Sequence, residues 1–396
     1  MAFPQIAVAL NAAKRVRNFD CTVFKDELLR PDGSIPPGEV VEVVDPRGAF
    51  LAMAFYHPQA RVALRIVSTS AGEPVDRPFL GARLRQAISA RDRIAGTNAK
   101  RLVFSEADGL PGLVLDAYAD YLVLQIRSAG MERLRPVLLE LIQELRPSAG
   151  ILERSDKEFR NEEGLEPVSQ CAAGTVPDRI QIEEEGLKFW VDPHQGLKTG
   201  FYLDQRTTRQ RLRALVRSGE QFLDAFSYTG ALGIAAASRG AHVVCLEQQE
   251  PLLELAKENA RLNGVADRVE YVAGDAFYWL AAKAQTETRF DWVSLDPPSL
   301  AKAKHEVTKG RQALHHLLVQ GLGLLEPGGR LLLSLCTYHL LGLTEEIVRI
   351  AAAERSARLA VVDQWNQPAD HPWILQIPAT HYLTTWLFER GARSGA

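Results

Sequence analysis

Along the first seventy residues short apolar runs alternate with turn signals. Pro36-Pro37-Gly38 precedes Glu39-Val-Val-Glu-Val-Val44, and Asp45-Pro46-Arg47-Gly48 separates that run from Ala49-Phe-Leu-Ala-Met-Ala-Phe55. Apolar runs of this length, bounded by Pro, Gly and Asp, are strand signals, and they predict a small β-barrel-like module. Between Pro74 and Pro78 the spacing changes, because Phe79, Leu80, Leu84, Ile88 and Ile94 then recur at helical intervals. A first boundary is placed there, which gives a domain of residues 1–72. Strands are expected at Leu113-Val114-Leu115 and at Tyr121-Leu-Val-Leu-Gln-Ile126, with a helix over roughly residues 131 to 145. The pattern continues through Gly150-Ile-Leu-Glu153 to Lys188-Phe-Trp-Val191, so residues 73–190 are read as a central α/β domain. From about residue 191 strand and helix alternate, the mark of a parallel sheet, and residues 191–396 are read as a doubly wound α/β domain.

Length supports this division, since 396 residues exceed what one hydrophobic core usually holds. A hydrophobic content of 46% and a charged content of 24% match an ordinary soluble protein. No apolar run reaches a membrane span, and the first residues lack the basic-then-apolar order of a signal peptide, so a cytoplasmic protein is expected. Cys21, Cys171, Cys245 and Cys336 are widely spaced without a C-x-x-C pair, which argues against a zinc site or a disulfide framework; no metal is expected. A net charge of −3 does not advertise a nucleic-acid binder. Basic clusters such as Arg206, Arg209, Arg211, Arg213 and Arg217 are more often solvated helix faces than phosphate tracks.

The chemistry gathers at predicted strand ends. Gln221-Phe-Leu-Asp224-Ala-Phe226-Ser227-Tyr228-Thr229-Gly230 is an apolar strand entering a tight turn before an alanine-rich helix, where doubly wound sheets bind nucleotides. It lacks the G-x-G-x-x-G spacing of a dinucleotide site and is similar to the first motif of many methyltransferases. The next strand ends in Glu247, suited to two ribose hydroxyls. The third leads to Gly274-Asp275-Ala276-Phe277, where Asp275 can accept from an adenine amino group and Ala276 or Phe277 can offer a backbone N–H and an apolar wall. Singly, each carboxylate reads as a cap or a surface charge; their order and spacing point to S-adenosylmethionine. The fourth strand ends in Asp296-Pro297-Pro298, a corner whose carboxylate and Pro297 carbonyl can accept from the amino edge of a base. The fifth ends at Leu335-Cys336-Thr337. A lone cysteine is usually a small buried hydrophobe, but Cys336 falls where catalytic residues of such sheets gather. A thiolate there can attack carbon 6 of a cytosine and so activate carbon 5 toward methylation, with Lys198, Lys302 or Lys304 supplying positive charge.

These residues carry a resemblance to the ribosomal RNA large-subunit methyltransferase I family, which makes 5-methylcytosine in 23S ribosomal RNA. Its most specific pieces are Gly196-Leu-Lys198-Thr199-Gly200-Phe201-Tyr202-Leu203-Asp204-Gln205-Arg206, Asp224-Ala-Phe-Ser-Tyr-Thr-Gly230, Asp296-Pro-Pro298 with Ala301-Lys302-Ala303-Lys304, and Pro368-Ala-Asp370-His371-Pro372. The resemblance implies an N-terminal PUA domain, a central α/β domain that helps hold RNA, a Rossmann-like methyltransferase domain and often a homodimer. It places the nucleophile at Cys336 and makes Gln205 and Arg206 contacts of the cofactor or target; Lys198, Lys302 and Lys304 are expected to meet the RNA. The partner it implies is 23S ribosomal RNA or a large-subunit assembly intermediate. Two departures stand out: the family's G-H-x-W-V-F stretch corresponds here to Phe19-Asp-Cys-Thr-Val-Phe24, and its G-Q-K-T-G becomes Gly196-Leu-Lys-Thr-Gly200. Two other readings compete, a guanine or adenine nitrogen methyltransferase, which needs no thiol, and a non-catalytic ribosome assembly factor that keeps the cofactor pocket.

Overall fold

A computed structural model describes residues 3–392 of the chain. Two compact units result. The first takes the chain up to Ile182 together with Val191–Leu203 and Ala369–Thr380; the second takes Glu183–Trp190, Asp204–Pro368 and the chain from His381 onward.

The first unit contains two five-stranded sheets. In one, β1 (Gln5–Ala7), β2 (Thr22–Phe24), β3 (Glu39–Val44), β4 (Phe50–Tyr56) and β5 (Val62–Ser68) lie in the order β1-β3-β4-β5-β2. Only the β1 and β3 pair is parallel. A helix that the apolar pattern did not announce, Leu10–Arg17, buries Ala12, Ala13 and Val16 in the core of this sheet beside Ile6, Val41 and Tyr56. In the other sheet, β6 (Ala99–Phe104), β7 (Leu113–Tyr118), β8 (Tyr121–Ile126), β9 (Gly150–Ser155) and β10 (Val168–Gly174) follow the order β10-β9-β8-β7-β6. The helix expected after Pro74 is Arg77–Ala90; the Asp76 carboxylate caps it by accepting from Phe79 N at 3.1 Å. Ile94 lies beyond its end. The helix expected over residues 131 to 145 is two helices, Ala129–Arg133 and Arg135–Leu145; the second starts afresh with Pro136 in its first turn, where a missing N–H costs nothing.

Met53, Phe55 and Val67 of the first sheet share a core with Leu80, Leu84, Leu113 and Leu138. The expected boundary at residues 72 and 73 therefore falls inside this unit. Gly130 shows how closely its parts pack, because a Cβ there would come within 2.1 Å of the Phe55 ring. A hairpin of β11 (Ile180–Glu184) and β12 (Leu187–Val191) follows.

In the second unit seven strands lie in the order β15-β14-β13-β16-β17-β19-β18. They are β13 (Gln221–Ala225), β14 (His242–Glu247), β15 (Val269–Ala273), β16 (Phe290–Leu295), β17 (Leu325–Leu335), β18 (Leu359–Asn366) and β19 (Thr384–Arg390). The first five are mutually parallel and β19 runs antiparallel between β17 and β18. Intervening helices cover the sheet, and the core is built of Leu223, Val293, Leu295, Leu318, Leu331 and Leu333 with their neighbours. Such continuous apolar strands are what a sheet covered on both faces requires. The strand order reverses between β13 and β16, and ligands of such sheets bind in the crevice at that switch point, beyond the carboxyl ends of the strands.

Candidate active site

Strand register brings the predicted residues to one edge of the second unit. Ala225 pairs with both Leu246 and Leu295, Glu247 with Ala273, and Leu295 with Leu333. The exits carrying Phe226, Glu247, Asp275, Asp296 and Cys336 thus stand side by side on five adjacent parallel strands.

The turn after β13 is tightly wound. Phe226, Tyr228 and Gly230 all take positive φ, at 67°, 51° and 75°, which is uncommon for aromatic residues and marks a stored local cost. Its hydrogen bonds explain how it holds: Ser227 N donates to Leu246 O at 3.0 Å, Gly230 N to Ser227 O at 2.8 Å, and Tyr228 N to Glu247 Oε2 at 3.0 Å. Gly233 in the following helix sits against the strand floor, where a Cβ would meet Cys245 Sγ at 2.8 Å. Asn259, buried in the helix Glu250–Leu262, donates to Thr229 O at 3.1 Å and accepts from Trp190 N at 2.7 Å. Sequence reasoning gave Asn259 no role; its one signal was a polar residue on the buried stripe of an amphipathic helix.

These residues fit S-adenosylmethionine. Thr229 Oγ1 is buried with no hydrogen-bond partner among the described residues, a polar atom that a ligand would satisfy. Glu247 spends one oxygen on Tyr228 N and the other on Gln249 N at 3.1 Å, and each retains acceptor capacity for a ribose hydroxyl. Asp275 caps the helix Ala276–Lys283, its Oδ1 accepting from Phe277 N at 2.8 Å and Tyr278 N at 3.3 Å. The capping role anticipated for a single carboxylate is therefore real, and Oδ2 takes no part in it. Ala276 is buried, and the Phe277 ring meets Phe226 edge-on at 6.1 Å, an apolar wall beside Asp275. Asp224 is buried in β13 and accepts from Gly233 N at 2.9 Å. Burial pushes its carboxyl up to about 7; the Gly233 N–H opposes the shift, and the charges of Asp296 and Glu247 reinforce it. Closely set carboxylates suit a ligand that carries a sulfonium and an ammonium.

Asp296 is half-buried at the end of β16, with Pro297 buried after it. Gln205 Nε2 donates to Asp296 Oδ2 at 2.8 Å. Because Leu333 lies opposite Leu295, Cys336 stands one strand across from Asp296 and two residues further along, half-buried and outside any disulfide. Thr337 ties the two exits together: its buried Oγ1 accepts from Leu300 N at 3.1 Å. The loop from Asp296 is further held where Lys302 N and Ala303 N donate to the Glu306 carboxylate at 2.7 and 3.2 Å, which also keeps that carboxyl below its ordinary range. Lys302 and Lys304 are exposed along this loop.

Other candidates take different positions. Arg206 is buried 3.4 Å from Glu184, which also receives Arg209; its charge is matched within the chain. Lys198 belongs to the first unit, where its Nζ lies 4.3 Å from the centre of the Tyr202 ring. Gly196 and Gly200 close that turn on the Asp192 carbonyl, which a Cβ on either would meet within 2.7 Å, and Thr199 Oγ1 donates to the buried Asp116 at 2.5 Å. Cys245 lies deep in β14 opposite Asp224 with its thiol pushed well up by burial, while Cys21 is pushed up to about 12 by the same cause; neither suits a nucleophile.

Strand order and the loop after β13 define an S-adenosylmethionine-dependent methyltransferase, and the family model described by those words matches residues 156–387, after a PUA-like domain model at residues 6–69. The protein named ribosomal RNA large subunit methyltransferase I of Aliivibrio fischeri (strain MJ11) is 35% identical over 96% of this chain and 97% of its own length. Its namesake in Cronobacter sakazakii (strain ATCC BAA-894) is 35% identical over 91% and 93%. The chain belongs to the ribosomal RNA large subunit methyltransferase I family. In fold it is similar to the crystal structure of SMU.776 complexed with SAH, with a TM-score of 0.86 at 21% identity over 98% of this chain and 100% of that one. No helix among the described residues is long and apolar enough to cross a membrane.

Proposed function

We propose that the chain methylates carbon 5 of a cytosine in 23S ribosomal RNA, either bare or in a large-subunit assembly intermediate, with Cys336 as the nucleophile. The observation that carries this reading is the position of Cys336 at the exit of β17, adjacent to the Asp296 corner. The relatives' name supplies the substrate class. The same reading takes the protein to act in the cytoplasm, as a homodimer.

When bound, adenosylmethionine supplies an electrophilic methyl group on its sulfonium. Asp224, Phe226, Ser227, Tyr228, Thr229, Gly230, Glu247, Asp275 and Ala276 hold it in the crevice. Asp296 and the Pro297 carbonyl accept from the amino edge of the flipped base, since a paired cytosine is out of reach. The Cys336 thiolate attacks carbon 6, forming the C–S bond while the electrons of the C5–C6 double bond move toward carbon 5. Carbon 5 takes the methyl group, a base removes its proton, and the returning electron pair restores the double bond as the thiolate leaves. Lys198, Lys302 and Lys304 meet the RNA backbone.

Nucleoside mapping of 23S RNA from cells with and without the protein tests the proposal. One 5-methylcytosine should vanish without it and return with the wild-type chain, but not with Cys336→Ala. A lost methylguanine or methyladenine, or rescue by Cys336→Ala, contradicts the mechanism; absence of any change supports an assembly role.

A further inference from the structure

We infer that Gln205 is the positioning residue of the Asp296 corner and contributes, through its own amide oxygen, to selecting a base that carries an amino group. The inference rests on the cytosine reading above and deepens it. Gln205 ends the short 3₁₀ turn Leu203–Gln205 and directly precedes the helix Arg206–Leu215, so its backbone is fixed by an element on each side. Its side chain is 7% exposed. The amide makes one polar contact within the unit, Nε2 donating to Asp296 Oδ2 at 2.8 Å. Its other end, Oε1, is buried with no hydrogen-bond partner among the described residues.

Two consequences follow from an amide in this place. A carboxylate can accept but not donate, so the amide nitrogen must face Asp296 and the amide oxygen must face away. Oδ2 is thereby committed to the protein, and the orientation of the carboxylate no longer depends on the substrate, the kind of second contact that keeps a reacting group in place. A buried amide carbonyl without a donor is costly, and the donor expected for it is an N–H brought by a ligand. Cytosine presents two hydrogens on its exocyclic nitrogen, whereas uracil presents an oxygen at the same position. An edge made of the Asp296 carboxylate and the Gln205 carbonyl attracts the first and repels the second. Sites built to hydrogen-bond a substrate N–H reject the analogue that lacks it far more strongly than an apolar pocket can.

The cofactor's ammonium group is the other source of such an N–H, and the experiment separates the two. The full chain and its Gln205→Leu, Gln205→Glu and Gln205→Asn variants are assayed on in vitro transcribed 23S RNA carrying either C or U at the mapped target. Calorimetry with adenosylmethionine runs in parallel. Gln205→Glu keeps the shape but turns a second carboxyl toward Asp296, so it remains informative if Gln205→Leu fails to fold. The expected result is a fall of about 10- to 100-fold in kcat/KM on the C transcript for Gln205→Leu and Gln205→Glu, carried mainly by kcat. The preference for C over U should drop at least about tenfold, adenosylmethionine affinity should stay within about threefold, and Gln205→Asn should restore part of the preference. An unchanged C-to-U preference overturns the inference, as does a loss of activity matched by lost cofactor affinity. If the wild-type chain makes no 5-methylcytosine, the cytosine reading itself has failed, an outcome distinct from either result with the variants.

Discussion

Asp224 is a carboxylate buried within the β13 strand, and its setting shifts its titration. Its carboxyl is pushed up to about 7 by burial beside Asp296 and Glu247, against an ordinary value near 3.8 when the chain is unfolded. The folded state therefore holds this proton more tightly than the unfolded state does, and the associated stability is full below about pH 4 and lost as pH rises through 7. Asp224→Asn should be neutral or destabilising at pH 4 and should raise the melting temperature relative to wild type at pH 8. A melting-temperature difference independent of pH would contradict the assignment. At this scale much was legible in the sequence. Cys336 could be told from Cys245 because one falls after the last residue of a strand and the other inside one, and the structure buries Cys245 completely. The contact between Gln205 and Asp296 was not legible, since it joins residues 91 positions apart and no local pattern announces it.

The strand exits act as a set because loops tie them. Thr337 accepts from Leu300 N, and Leu300 O is packed against Gly310, where a Cβ would approach it at 2.7 Å. The path from Asp296 to the helix Val307–Leu324 is thus fixed at several points, next to Cys336. Thr337→Val removes the acceptor while keeping the volume, which should cost about 1–3 kcal/mol where the N–H is left unsatisfied. It is expected to lower kcat about tenfold without weakening adenosylmethionine binding, and Thr337→Ser should retain activity; equal activity in the two variants would remove Thr337 from the positioning role. Among the elements, β13 to β17 were readable from short apolar-rich runs set between turn and helix signals. The helix Leu10–Arg17 was not, because it is only eight residues long and its buried face is mostly alanine. Nor were β18 and β19 readable: β18 is an edge strand with Ala360, Val361 and Val362 exposed in succession, so it lacks the alternation that marks a half-buried strand.

On the scale of the molecule, polar contacts tie the N-terminal sheet to the rest of its unit. Arg65 Nε donates to Glu163 Oε1 at 2.6 Å, Glu163 Oε2 accepts from Ala129 N at 2.6 Å, and His57 Nε2 lies 3.1 Å from Glu163 O. A chain starting at residue 73 would leave the buried Glu163 without Arg65 and strip Phe55 from Gly130. Loss of a buried ion-pair partner costs about 3–5 kcal/mol. The truncated chain is expected to melt at least about 10 °C lower or to be insoluble, and an unchanged melting temperature would show the sheet to be independent. The central claim concerns Cys336, and covalent trapping tests it most directly. A 23S transcript in which 5-fluorocytidine replaces cytidine cannot lose a proton from carbon 5, so the adduct should accumulate. After adenosylmethionine is added and the RNA digested, mass spectrometry should find a methylated fluorocytidine fragment on the peptide containing Cys336. Methyl transfer with no adduct, or an adduct on another cysteine, would contradict the account.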